Sequence, residues 1–183
     1  MSKQKSPTWS QIKARLSSLD DKELLNIVHD LYGLNADNKV FLATRLGLGD
    51  HQSLVEPYRR AIRREFNPDR GFPRLDIGAA RKALNDFKRA SADSRAVADL
   101  MVFYVEQGVA CTVQYGDIDA RFYDSLESVF SEVVALISQT GDPEMIDEFG
   151  PRLEQIVYDT AGIGWGFHDY LYEVFYGEYP SEQ

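Results

Sequence analysis

DSRAVADLMVFYVEQG, residues Asp93 to Gly108, decides the fold. Ser91 or Asp93 offers an N-cap, and Val97, Leu100, Met101, Tyr104 and Val105 recur at the i, i+3, i+4, i+7, i+8 spacing of one helix face. Val102 and Phe103 widen that stripe until most of the cylinder is apolar. A helix apolar around so much of its circumference needs neighbours on several sides, so the segment predicts a central, buried helix with others packed about it.

The same period runs outward in both directions. Upstream, Asp76 caps a helix ending near Ala90, with Ile77, Ala80, Leu84 and Phe87 as its apolar line. Residues 67–73 (NPDRGFP) are a loop, and Asp50 to Phe66 is a helix that Pro57 either kinks or restarts. Thr8 with Gln11, and Asp20 with Glu23, have capping-box spacing. They predict helices from Thr8 to about Leu19 and from Asp20 to a left-handed stop at Gly33, the second with the stripe Leu24, Ile27, Val28, Leu31, Tyr32. Asn35 to Leu46 is a third, ended by Gly47.

Downstream, Gly108 is expected to end the central helix, and residues 109–116 fit a continued turn, a short extended piece or a loop. A long helix from Asp119 carries Phe122, Leu126, Val129, Phe130, Val133 and Ile137 and stops near Gly141. Asp142 and Pro143 open a short helix that Gly150 and Pro151 break; Leu153, Ile156, Val157 and Thr160 mark another. After Gly162 a last helix carries Phe167, Tyr170, Leu171, Val174 and Phe175. Eight to ten helices with short connections define one all-α domain over residues 1–183, with flexible ends at 1–7 and 177–183.

Composition agrees with one core: 183 residues, 44% hydrophobic and 27% charged, exclude a disordered or collagen-like chain. The start, MSKQKSPTW, has no apolar segment behind its charges, and no uninterrupted apolar run approaches the roughly 20 residues that span a bilayer. No membrane association and a cytoplasmic location are therefore expected. Cys111 is the one cysteine, so no internal disulfide or multi-cysteine zinc site exists, and its apolar neighbours predict a buried, inert thiol. The net charge of −9 divides unevenly: 0 over residues 1–56, +6 over 57–95 and −15 over 96–183. So acidic a C-terminal half repels a long duplex and disfavours general nucleic-acid binding.

DNKVFLATRLG (residues 37–47), ALNDFKRAS (83–91), FYVEQGVACTVQYGDIDARFYDSLESVF (103–130) and GIGWGFHDYL (162–171) resemble an uncharacterised bacterial family of small all-helical proteins, a domain of unknown function. The resemblance runs from about Leu19 to Phe175. It implies a bacterial cytoplasmic protein whose antiparallel helix pairs stack as an α-α superhelix, in a HEAT-like arrangement. It transfers no catalytic residue.

Catalytic signatures are missing: there is no GxxxxGK[ST] phosphate loop, GxSxG elbow, HExxH or CxxC. Gly162, Gly164 and Gly166 follow a helix instead of a strand, which fits tight passage between two helices better than a dinucleotide loop. Asp117, Asp119 and Asp124 invite a calcium reading, but the loop template fails, with Phe122 where its glycine should stand and Ser128 where its glutamate should. No cofactor and no metal is expected. Acid-base work by Asp117, Asp119, Glu127 or His168 is the weakest of the functional readings.

Two surfaces stand out instead. Trp165, His168, Tyr172 and Tyr176 form a stripe on the last helix opposite its apolar face; aromatic stripes are more often sandwiched in a core, and the alternative is a dimer or partner interface. Arg59, Arg60, Arg63 and Arg64 project from one side of their helix. With Arg70, Arg74, Arg81, Lys82, Lys88 and Arg89 they can merge into a patch for phosphates or carboxylates, or be neutralised by Glu65, Asp86 and the acidic half. The leading expectation is a non-enzymatic helical protein-interaction module with a protein partner, homodimerisation being one form of it. An anion or nucleic-acid binder acting through residues 57–95 is the alternative.

Overall fold

The computed structural model describes residues 6–180. Nine helices make up the described chain: α1 (Trp9–Leu16), α2 (Asp21–Leu34), α3 (Ala36–Arg45), α4 (His51–Phe66), α5 (Ile77–Ala90), α6 (Ser94–Tyr115), α7 (Ala120–Thr140), α8 (Pro143–Asp159) and α9 (Phe167–Glu178). No strand occurs among these residues, and the fold is all-α.

α6 is the axis, as its sequence requires. Leu100, Met101, Val102, Tyr104, Val105 and Cys111 are wholly buried on it, and α4, α5, α7 and α8 surround it. It is the one helix, among those described, long and apolar enough to cross a membrane, but 67% of the qualifying window is buried inside the fold, as in a core helix. α9 closes the far side by packing on α7 and α8. Edge-on ring contacts of Phe66 with Tyr104 and Phe122, at 5.1 and 5.5 Å, join α4, α6 and α7 at the centre. The caps form as their residues predict: Thr8 with Gln11 and Asp20 with Glu23 make reciprocal capping boxes, and Asp76, Asp93, Asp119 and Asp142 accept from the first turns of α5 to α8.

Three expected breaks, at Gly33, Gly108 and Pro151, are not breaks, and Pro57 does not restart its helix. Gly108 lies inside α6, which continues to Tyr115 and ends at Gly116 in a left-handed φ of 89°. A Cβ on Gly108 would lie 2.3 Å from Leu126 Cδ2, so this glycine lets α7 press against α6. Residues 109–115, left open above, are therefore helical. Gly33 lies within α2, which gives way to α3 at Asn35 in extended backbone. Pro57 and Pro151 sit within continuous helices α4 and α8. Each removes an N–H whose carbonyl partner lies four residues earlier, at Ser53 or Asp147, and both of those residues are exposed, where the freed carbonyl costs least. Helix 1 is shorter than expected, ending at Leu16. Tyr170, placed on the core face by its spacing, sits at the margin with its hydroxyl 2.8 Å from Ser131 Oγ.

At the C-terminus, residues 177–178 belong to α9, and Tyr179 is packed, its hydroxyl donating to the Ile146 carbonyl at 2.7 Å. The remaining parts of the ends expected to be flexible, residues 1–5 and 181–183, lie outside the described residues.

The N-terminal helices depart furthest from expectation. α1 and α2 bury no residue, and α3 buries only Val40. α3 is tied to the body by Tyr58, whose hydroxyl donates to Asp37 at 2.6 Å, and by Thr44, whose hydroxyl reaches the Ala90 carbonyl at 3.1 Å. α2 packs on α3. Its stripe is only half covered: Leu24 is partly buried, Ile27, Val28, Leu31 and Tyr32 are 37–47% exposed, and Leu25 and Leu34 at its edges are 68% and 71% exposed.

Candidate functional site

Most cations of the basic segment are held by carboxylates, the neutralised alternative expected from Glu65, Asp86 and the acidic half. Arg59 pairs with Asp99 on α6, and its guanidinium lies 5.0 Å from the Phe103 ring centre, with that of Arg63 at 5.5 Å. Arg60 and Arg63 both stand 3.9 Å from Glu56. Arg64 binds the buried Glu65 at 2.9 Å. On α5, Lys82 and Arg89 clamp the buried Asp86, Lys88 reaches Glu132 on α7, and Arg81 donates to Ser128 at 3.1 Å. Burial alone would raise the Asp86 carboxyl; its two cations outweigh burial and hold it below the usual carboxylate value. Arg70 and Arg74, in the α4–α5 connection, are exposed and form no ion pair among the described residues.

The strongest ionic feature was not read from the sequence. Arg152 on α8 donates to both Glu106 carboxylate oxygens at 2.8 and 2.9 Å and to Asp99 at 2.8 Å. Asp99 thereby joins Arg59 of α4 to Arg152 of α8 across α6. Burial pulls the Arg152 guanidinium down, but the bonds to Glu106 and Asp99 more than reverse this and hold its pKa above the ordinary value. Asp99 and Glu106 share one side of the apolar helix at i and i+7, and that spacing is the one signal that pointed to a pair with a common partner.

The aromatic stripe is on the surface. Trp165, Tyr172 and Tyr176 are exposed opposite the buried Phe167, Leu171, Val174 and Phe175. Tyr172 and Tyr176 stack with ring centres 4.6 Å apart, and Tyr176 donates to Glu154 on α8 at 3.1 Å. His168 is half-buried. Its Nδ1 lies 3.2 Å from the Val157 carbonyl and 3.0 Å from Thr160 Oγ1. Thr160 donates to the same carbonyl, so we assign the proton to Nδ1, leaving Nε2 as the acceptor. Gly162 and Gly166, with φ of 87° and 73°, turn the chain between α8 and α9 and leave Trp165 outside.

This stripe borders a furrow between α8 and α9. One part, about 390 Å³, lies among Tyr158, His168, Tyr172 and Tyr176; the next, about 530 Å³, lies among Ile146, Phe175 and Tyr179. Pro151, Glu154 and Tyr176 line both parts, so the two lie end to end along α8 and meet at the Tyr176–Glu154 hydrogen bond, which bridges α9 to α8 between them. Asp147 and Glu154 are its acidic lining; no lysine or arginine lines it. A separate hollow of about 650 Å³ lies across α8, between it and α6, with Val109, Val113 and Ile156 in its wall.

The acid-base candidates are apart. Asp119 caps α7 by accepting from Phe122 N at 3.0 Å, Asp117 accepts from the Tyr123 hydroxyl at 3.2 Å, and His168 is bound to α8. Glu127 is raised by burial and by the neighbouring Asp124. No hydrogen bond joins any two of the four among the described residues. Nor do three or more His, Cys, Asp or Glu side chains converge as a metal site there.

These features define an all-helical protein with two surface features, a half-covered apolar stripe on α2 and an acidic, tyrosine-walled furrow on α8 and α9. The chain belongs to a family of unknown function (DUF6155), which matches residues 7–176 and so takes in everything from just before α1 to near the end of α9. No curated protein and no solved structure matches it.

Proposed function

We propose that the protein is a non-enzymatic helical interaction module, acting in the cytoplasm, whose α2–α3 surface binds a protein partner. The observation that carries this reading is the half-covered apolar stripe of α2: Ile27, Val28, Leu31 and Tyr32 are 37–47% exposed, and Leu25 and Leu34, at the stripe's two edges, are 68% and 71% exposed. Scattered leucines at a surface are ordinary, but an amphipathic helix that packs on α3 and still buries no residue has an apolar stripe only half covered. From α3 onward, α5 packs on α3 and α4, α6 on α4 and α5, α8 on α6 and α7, and α9 on α7 and α8. That succession supports antiparallel pairs stacked as an α-α superhelix, with α2 and α3 as the open end of the stack.

Pairing of Arg59, Arg64, Lys82, Lys88 and Arg89 with carboxylates weakens the nucleic-acid alternative, because phosphates would have to compete with partners already in place. The test is affinity capture from host lysate with nuclease present, comparing the native chain with Leu25→Glu/Leu34→Glu. The reading predicts a nuclease-resistant partner that the variant loses. Capture that vanishes with nuclease, or a partner retained by the variant, contradicts it.

A further inference from the structure

We infer that the furrow between α8 and α9 receives helix α1 of a second copy of this chain, so that two copies exchange their N-terminal helices. α1 is a helix without a home in its own chain: none of its residues is buried, and Trp9 is 68% exposed. Trp9, Ile12 and Leu16 fall at i, i+3 and i+7 and make one narrow apolar line, flanked by Lys13 on one side and Arg15 on the other. From Met1 to Leu19 the sequence has four basic residues and no acidic one.

The furrow is the complement of this helix in charge, shape and chemistry. From Asp142 to Glu178 nine acidic residues stand against one basic, Arg152, which Asp99 and Glu106 already hold. Asp147 and Glu154, the latter keeping or exchanging the Tyr176 hydroxyl that it accepts from, would face the lysine and arginine that α1 brings, and Tyr158, Tyr172 and Tyr176 would wall an indole. The lining runs along α8 from Ile146 to Ala161, about 24 Å at 1.5 Å per residue, against about 12 Å for the eight residues of α1. The family match includes both the helix and most of the furrow, so neither is an appendage.

Exchange of α1 between two copies gives a closed two-fold dimer with each furrow filled once. Two short helices bury less than about 1,200 Å², which places the dimer in the weak, salt-sensitive class with a Kd on the order of micromolar. The inference goes beyond the interaction surface proposed on α2 and α3, and it is tested on the purified chain alone. Failure of partner capture therefore leaves it standing, and its failure leaves that reading standing.

The experiment is sedimentation velocity over a concentration series reaching about 100 μM, a range suited to a micromolar Kd. It uses three proteins: the native chain, Lys13→Glu/Arg15→Glu and Asp147→Lys/Glu154→Lys. All four residues are exposed, and unchanged circular dichroism and Tm establish that the variants fold. The native chain should dimerise with concentration, and each variant alone should weaken dimerisation at least about 100-fold, because like charges then face each other. Mixing the two variants should restore the dimer, since in the mixed pair every helix meets a furrow of opposite sign. Trp9→Ser should weaken the native dimer without changing any charge. A native chain monomeric throughout, a dimer indifferent to either variant, or variants that do not complement one another would each overturn the proposal.

Discussion

Replacing Gly108 by alanine should destabilise the protein, although alanine is the better helix former. Inside a helix the change gains about 0.8–1 kcal/mol in propensity. Against this, the new Cβ would stand 2.3, 2.7 and 3.1 Å from Leu126 Cδ2, Cδ1 and Cγ. Leu126 is wholly buried between α6 and α7, so its side chain has no open space to swing into. Overpacking of this kind costs about 1–3 kcal/mol before relaxation. The severity of the contact places it at the upper end, for a net loss of about 1–2 kcal/mol, or roughly 2–8 °C in Tm for a chain of this length. Leu126→Ala alone should cost about 3–5 kcal/mol through lost transfer energy and the cavity left behind. In that background the clashing atoms are gone, and Gly108→Ala should become stabilising by about 1 kcal/mol. The coupling energy from urea denaturation of the four proteins, followed by circular dichroism, is then about −2 to −3 kcal/mol. Equal effects of Gly108→Ala in the two backgrounds would refute the reasoning, since a glycine needed only to terminate a helix would be indifferent to Leu126.

Three further outcomes follow from the electrostatics and burial. Arg152→Ala should cost about 3 kcal/mol, because it removes the bidentate partner of Glu106 and one of the cations on Asp99 within a partly buried network, whereas Arg95→Ala, which also removes a pair of carboxylate contacts, should cost much less because water screens that pair; the Arg152 side chain is 30% exposed and that of Arg95 47%, and urea titration compares them directly. Burial and Asp124 raise the Glu127 carboxyl in the fold, so its contribution is favourable below its unfolded value and is lost as pH rises through the folded one. Glu127→Gln should accordingly raise Tm at pH 7 and lose that advantage in acid, as a pH series of thermal melts would show. Cys111 is pushed up to about 11 by burial, so Ellman's reagent at pH 8 should find no reactive thiol in the native protein and one after denaturation.

How far the sequence could be read depended on whether a residue's role was local. Caps at Thr8, Asp20, Asp76, Asp119 and Asp142 were legible because they act within one turn of their own helix. The central helix was legible because its composition allows no exposed face. Gly108 and Pro151 were misread for one reason: a breaker's local effect is visible in sequence, while the contact or solvent exposure that offsets it comes from elsewhere. Between an open basic patch and a neutralised one the sequence could not choose, since the partners of Arg59 and Lys88 lie 40 and 44 residues away. In α2 the period correctly gave an apolar stripe, but period cannot say whether anything covers it. Trp165, Tyr172 and Tyr176 posed the same question, and only packing placed them outside.

The central claim is that the open face of α2 and α3 is a binding surface. It is tested most directly by placing a photo-crosslinking amino acid at Leu34, 71% exposed on that face, and at the exposed Gln139 at the far end of α7, and irradiating the protein in its host cell. The account predicts a discrete protein adduct from position 34 and none from position 139. Equal labelling at the two positions, or none at Leu34, would contradict it.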